Sequence, residues 1–145
     1  EAVVKYFLDT NIFMYAAGRE HPLKGPCVAF LRRVAREEVE ALTNTEVLQE
    51  ILYRYRAIGE RERGLHLARL AVDQVGGEVL PVTLADMRRA FGLAARYGTD
   101  IMARDAVHAA TMLNNGLTHL ISADSHFDVI EGVTRLDPRK AARRP

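Results

Sequence analysis

The chain has 145 residues, which suits one domain around one hydrophobic core, and we expect residues 1–145 to form it. Its net charge of +1 excludes a uniformly basic nucleic-acid coat, and 48% hydrophobic with 27% charged residues is typical of a soluble globular protein. No apolar run approaches the ~20 residues of a membrane span and no export signal is visible, so we expect a cytoplasmic protein.

Strand and helix patterns alternate along the chain. In chain order we predict a strand over 3–8, a helix over 22–38, a strand over 39–42, helices over 43–58 and 60–75, a strand over 79–82, helices over 83–97 and 101–114, a strand over 119–122, a helical turn over 125–130 and a strand over 133–136. This alternation predicts a three-layer α/β/α sandwich with a mainly parallel sheet. Pro81 predicts that its strand lies at an edge or ends there.

Four acidic residues occupy positions where such folds collect functional groups. Asp9 and Asp124 lie at or just past the ends of predicted strands, and functional side chains gather at the carboxyl ends of parallel strands. Glu46 and Asp105 lie in the first turns of predicted helices. We therefore expect short loops to bring the four carboxylates together.

Each of these acids also has a purely structural explanation. Asp9 and Asp124 are good capping residues, and Asp105 gains from the positive end of a helix. Thr43-x-x-Glu46 fits a capping box, which taken alone favours a structural Glu46.

Four neighbouring residues receive structural interpretations. Glu50, one turn after Glu46, is expected to be exposed or paired, and His108 to be a hydrogen-bonded core residue. His126 is interpreted as a surface residue with a minor claim to touch substrate. The single cysteine, Cys27, recurs with apolar residues at helical spacing and is expected in the core.

Clustered carboxylates predict a cation. Their charges repel, so one or more would resist ionisation unless a metal joined them. Hard oxygen ligands favour Mg²⁺ or Mn²⁺. The sequence has no Cys/His cluster with zinc spacing.

The sequence motifs around the four acids resemble those of PIN-domain ribonucleases, and most closely those of the VapC-like toxins of prokaryotic toxin–antitoxin pairs. The resemblance covers essentially the whole chain. It is carried, in order, by Asp9-Thr10-Asn11, by Glu46 at a Thr-Glu helix start, by the segment 105–110 (DAVHAA) and by the segment 122–128 (SADSHFD).

This resemblance implies a parallel sheet flanked by helices and endonucleolytic cleavage of RNA. It implies that the catalytic acids are Asp9, Glu46, Asp105 and Asp124, with Asp128 as an auxiliary metal ligand. It further implies that Asn11 orients the first Asp and that Ser122 supplies a supporting hydroxyl. The implied partners are a small antitoxin that blocks the site and a second copy of the chain in a homodimer.

The expected mechanism is in-line phosphodiester hydrolysis supported by one or two divalent ions. Asp9, Asp105 and Asp124 are the expected direct ligands, while Glu46 holds a metal water or positions the nucleophile. Because guanidinium groups match phosphate geometry, we expect the RNA backbone to be held by Arg54, Arg56 and Arg104.

Three alternatives stay open from sequence. A structure-specific DNA nuclease shares the acid cluster, but the chain has little room for extra DNA-binding elements. Phosphotransfer enzymes of the haloacid-dehalogenase type need a second Asp where Asn11 stands, and response-regulator receivers need adjacent acids and a late Lys that are missing. A non-catalytic RNA- or protein-binding module is disfavoured by the intact acids.

Overall fold

The structure is a computed structural model that describes residues 4–143. Its strands are β1 (Lys5–Leu8), β2 (Glu40–Asn44), β3 (Val79–Leu80), β4 (His119–Ile121) and β5 (Thr134–Leu136). They form one sheet in the order β3-β2-β1-β4-β5, and every neighbouring pair is parallel. The short β3, just before Pro81, lies at an edge, as predicted.

Helices flank this sheet. They are α1 (Thr10–Ala17), α2 (Lys24–Ala35), α3 (Thr45–Ala57), α4 (Arg61–Gln74), α5 (Leu84–Tyr97), α6 (Ala103–Asn114) and α7 (Pro138–Arg143). The chain winds outward from β1 to β3 and then returns to β4 on the other side of β1. Since such crossovers are right-handed, the reversal places the helices of the two halves on opposite faces. The predicted α/β/α sandwich is confirmed.

Two helices are missing from the sequence prediction. Helix α1 is apolar around most of its circumference, with Ile12 and Phe13 fully buried, so it has little of the polar and apolar periodicity that marks a surface helix. Helix α7 has six residues and begins at Pro138, a favoured first helical residue, but is too short to show a period. Val3, predicted to open the first strand, lies outside the described residues.

The predicted capping box at the start of α3 is wrong. Thr43 belongs to β2, and its hydroxyl donates to the carbonyl oxygen of Leu8 at 2.9 Å. Asn44 is the N-cap instead, because its Oδ1 accepts a hydrogen bond from the backbone N–H of Val47 at 2.9 Å. Glu46 is therefore the second residue of the helix and has no capping hydrogen bond.

The core lies between the sheet and its helices and includes Phe7, Phe30 and Phe127. Cys27 is fully buried, as predicted, and burial raises the pKa of its thiol to about 12. A thiol with that pKa is almost wholly protonated near neutral pH, which excludes it as a nucleophile. Within 4–143, no helix has the length and apolar character needed to cross a membrane.

Candidate metal centre

The acids converge where the order of the strands reverses. Asp9 follows β1 directly, and Asp124 lies three residues after β4, the neighbour of β1. In open α/β sheets this reversal opens a crevice beyond the carboxyl ends of the strands. Asp105 enters from the first turn of α6.

Asp9 is almost fully buried and held by three donors. Its Oδ1 accepts from the backbone N–H of Thr10 at 2.8 Å. Its Oδ2 accepts from Ser122 Oγ at 2.7 Å and from Asn11 Nδ2 at 3.2 Å. Burial raises the pKa of Asp9 in spite of these bonds, so its negative charge is costly without a cation. Asn11 and Ser122 lie where they fix the orientation of this carboxylate.

Asp105 is the most deeply buried of the candidate acids, with 1% of its surface exposed. Its Oδ2 accepts from the backbone N–H of Met102 at 2.8 Å, which caps α6. Burial raises the pKa of Asp105, and the negative charges of Asp124 and Asp9 raise it further. The three aspartates therefore form one electrostatic unit.

The imidazole of His126 lies beside this unit and could add a nitrogen ligand. Its Nδ1 lies 3.1 Å from Asp124 Oδ1 and 3.7 Å from Asp105 Oδ2. Ligand atoms of these three residues all lie within 4.8 Å of one another. Octahedral ligands at ~2.1 Å from a cation are separated by about 3 Å when adjacent and about 4 Å when opposite. These separations could accommodate one shared ion. His126 is exposed at the surface, as predicted, and it lies beside the two acids.

Glu50 is a further acid beside this site. Glu50 is 8% exposed, and its Oε1 lies 3.5 Å from His108 Nε2, which in turn lies 3.7 Å from Asp9 Oδ1. Burial would raise the pKa of Glu50, but contact with His108 and the positive charge of Arg104 lower it below its ordinary value. The expectation that Glu50 is exposed or paired is met by its pairing, since it is buried and lies beside Arg54, Arg104 and His108.

Glu46 has no recorded contact with these acids among the described residues. It is partly buried, and within the described chain its side chain has no hydrogen bond or ion pair. The buried residues of α3 include Val47, Glu50 and Ile51, which recur at helical spacing. The position of Glu50 within an otherwise apolar helical stripe is the sequence feature that could have predicted its burial.

Of the three arginines predicted to hold RNA, two lie close to Glu50. Arg104 Nε lies 3.7 Å and Arg54 Nη1 3.9 Å from Glu50 Oε2, so both guanidinium groups lie at the rim of the acid cluster. Both are partly exposed, at 38% and 46%. Arg56 is two residues from Arg54 on the same helix, and therefore points away from it.

Asp128 is paired with Arg135. Its two oxygens accept from Arg135 Nε at 2.8 Å and Nη2 at 3.0 Å, and this hydrogen bonding lowers the pKa of Asp128. Arg135 Nη1 also donates to the carbonyl oxygen of Ser122 at 3.0 Å. Through Arg135, Asp128 holds the loop after β4 in place, and these contacts offer no support for Asp128 as a metal ligand.

Comparison with known proteins agrees with this architecture. The model of the PIN domain family matches residues 6–133. This chain belongs to the PIN-domain family. Ribonuclease VapC13 of Mycobacterium tuberculosis is 40% identical over 129 residues, which cover 89% of this PIN domain and 97% of the relative. Ribonuclease VapC7 of the same organism is 33% identical over 135 residues, 92% of each chain.

Solved structures share the fold at low sequence identity. FitAcB from Neisseria gonorrhoeae superposes with a TM-score of 0.71 at 19% identity, covering 92% of this PIN domain and 97% of that chain. A toxin–antitoxin complex from Klebsiella pneumoniae gives a TM-score of 0.57 at 19% identity, covering 89% and 95%. The resemblance inferred from the sequence motifs is confirmed.

Proposed function

We propose that this PIN domain is a divalent-metal-dependent endoribonuclease and the toxin of a toxin–antitoxin pair. The observation that carries the proposal is the convergence of Asp9, Asp105 and Asp124, with Glu50 beside them, in the crevice at the strand-order reversal. Relatives named VapC ribonucleases, matched over most of their length, support RNA as the substrate.

The residues present fit a divalent cation. Burial raises the pKa of Asp9 and Asp105, and mutual repulsion adds to the cost of their charges, a cost that a bound cation would remove. We assign Asp9, Asp105 and Asp124 as the metal-holding acids, with His126 as an additional nitrogen donor. Because imidazole is a poorer ligand for Mg²⁺ than for transition metals, this mixed set favours Mn²⁺. When bound, the cation acidifies a water and neutralises charge developing on the phosphate.

The protein's own groups orient the reaction. Ser122 and Asn11 hold Asp9 Oδ2, so this carboxylate needs no reorganisation when substrate arrives. Glu50, whose lowered pKa keeps it ionised, takes the role first expected of Glu46 and accepts a hydrogen bond from the attacking water. Arg54 and Arg104 at the rim bind the phosphate oxygens of the RNA strand.

The proposed partners are an antitoxin and a second copy of the chain, in the cytoplasm. A cavity of about 610 Å³ opens between α1 and α3, and its lining includes Tyr53, Ile58 and, at the edge of the acid site, Asn11. Tyr53 and Ile58 are 66% and 67% exposed, and a segment of the antitoxin would cover them while blocking the acids. Leu84 and Phe91, seven residues apart on α5, are similarly exposed and suit the homodimer contact.

Nuclease assays on the purified chain, free of antitoxin, test this function. We expect Mn²⁺- or Mg²⁺-dependent cleavage of single-stranded RNA that stops on chelation and is lost in Asp124→Asn. Asp100→Asn, which changes an exposed acid in the turn before α6, is the matched control and should cleave normally. Cleavage confined to branched DNA, or RNA cleavage that survives both chelation and Asp124→Asn, would overturn the proposal.

A further inference from the structure

A buried histidine lies between two of the clustered acids. His108 in α6 is fully buried, and its ring packs against Phe7 at a centroid distance of 5.5 Å. Its Nε2 lies 3.7 Å from Asp9 Oδ1 and 3.5 Å from Glu50 Oε1. Within the described chain, neither Nε2 nor Glu50 Oε1 has a hydrogen-bond partner. Since buried polar atoms are nearly always hydrogen-bonded, this pair is incomplete as it stands.

The amide of Asn44 fixes which ring nitrogen of His108 carries the proton. Asn44 Oδ1 accepts from the backbone N–H of Val47, an atom that can only donate. Asn44 Nδ2 therefore faces His108 Nδ1 at 3.1 Å and Thr111 Oγ1 at 3.3 Å. Thr111 gives its own hydroxyl proton to the carbonyl oxygen of Val107. Because the amide nitrogen can only donate, His108 Nδ1 must accept, and the ring proton lies on Nε2.

We propose that His108 is a positioning residue that presents Nε2–H to Asp9 and Glu50 and holds the two carboxylates in one relative orientation. This inference deepens the proposed function and rests on it. The N–H lies between two carboxylate oxygens, to which it makes charge-assisted hydrogen bonds when the site contracts by a few tenths of an ångström. The remaining oxygens of the two acids already have other neighbours: Ser122 and Asn11 for Asp9, and the two rim arginines for Glu50.

The consequence is a relay from the cap of α3 to the metal-holding acids. Asn44 caps α3, the helix that carries Glu50, and the same amide sets the tautomer of His108 in α6. Partners that orient metal ligands in this way usually contribute about 10- to 100-fold to metal affinity or activity. His108 acts through Asp9 and Glu50 and does not itself touch the substrate.

Nuclear magnetic resonance tests the tautomer directly. Long-range proton–nitrogen correlation on ¹⁵N-histidine-labelled protein should show His108 as the neutral Nε2–H form, with the Nε2 resonance shifting on addition of Mg²⁺. A ring protonated on Nδ1 alone, a doubly protonated ring, or an Nε2 resonance that ignores saturating Mg²⁺ would overturn the inference. This spectrum needs no substitution and no RNA.

Three variants test the positioning role through Mn²⁺ affinity measured by calorimetry. His108→Phe fills the site without a donor and should weaken binding about 10- to 100-fold. His108→Gln, whose amide nitrogen reaches the same two carboxylates, should bind within a few-fold of the unsubstituted protein. Asn115→Ala removes a side-chain hydrogen bond to the carbonyl oxygen of Thr111 at the far end of α6, so it should lower stability while leaving Mn²⁺ affinity unchanged. Equal affinity for His108→Phe, or equally weak binding by a folded His108→Gln, contradicts the role.

The design separates this inference from the proposed function. If the unsubstituted protein binds Mn²⁺ and cleaves RNA but His108→Phe does the same, only the role of His108 fails. If the unsubstituted protein neither binds Mn²⁺ nor cleaves RNA, the proposed function fails with it. If His108→Phe does not fold, the response of the Nε2 resonance to Mg²⁺ and the affinity of His108→Gln decide the matter.

Discussion

Replacing Asp105 by Asn should stabilise the protein without metal. Asp105 is 1% exposed, and its ligand atoms lie within 4.8 Å of those of Asp124. Two unit charges 4.8 Å apart repel by about 3.5 kcal/mol at an effective dielectric constant of 20. His126 and solvent around Asp124 offset part of this, so we expect a net gain of about 1–2 kcal/mol from the neutral amide. Asn Oδ1 can still accept from Met102, which preserves the helix cap.

The pH dependence of this gain has a definite sign. Burial raises the pKa of Asp105 in the folded protein, so above its ordinary value of 3.8 the charge progressively costs stability. The advantage of Asp105→Asn should be full at pH values above the raised pKa. It should shrink as the pH falls through that pKa toward 3.8, where the unsubstituted carboxyl is itself neutral.

Differential scanning calorimetry in chelator measures the effect. A gain of 1–2 kcal/mol corresponds to a rise in Tm of about 3–6 °C for a domain of this size. In saturating Mn²⁺ the unsubstituted protein should have the higher Tm of the two, because the ion stabilises the chain with the intact site more. Asp73→Asn, which changes an exposed acid of α4, should leave the Tm unchanged both in chelator and in saturating Mn²⁺. A lower Tm for Asp105→Asn in chelator, or an order unaffected by Mn²⁺, would refute the reasoning.

Two further predictions concern neighbouring residues. His126→Gln should remove a nitrogen hyperfine coupling from the electron-spin-echo spectrum of bound Mn²⁺. It should also shift the preference between Mn²⁺ and Mg²⁺ toward Mg²⁺. A spectrum without nitrogen coupling in the unsubstituted protein would exclude His126 as a ligand. Asp128→Asn should cost up to about 1 kcal/mol of stability near neutral pH, because the pair with Arg135 is partly exposed. Hydrogen bonding from Arg135 lowers the pKa of Asp128, so the loss of stability should vanish as the pH falls below this pKa. Urea titrations at several pH values measure the loss. Equal losses of stability at all pH values would contradict this prediction.

The fold and three of the clustered acids follow from local sequence patterns. Alternating strands and helices imply the sheet, and Asp9 and Asp124 follow two neighbouring strands, where both contact the hydroxyl of Ser122. These features depend on short stretches of chain, which single-sequence patterns represent well.

The rest depends on contacts between distant segments. Glu46 and Glu50 are one helical turn apart, and only the packing of α3 against α6 and α1 directs Glu50 toward His108 and the other acids. His126 lies near Asp105 because α6 brings that carboxylate to the loop after β4. The tautomer of His108 follows from an amide 64 residues earlier in the chain.

The most direct test of the four-acid site compares Glu50→Gln with Glu46→Gln. Both change one carboxylate of α3 into an amide, one turn apart, so they are matched in charge and helix propensity. In Mn²⁺-dependent cleavage of single-stranded RNA, we predict that Glu50→Gln lowers kcat/KM by at least about 100-fold, which corresponds to some 3 kcal/mol of transition-state stabilisation, while Glu46→Gln stays within about threefold of the unsubstituted protein. Loss of activity in Glu46→Gln with full activity in folded Glu50→Gln would contradict the account.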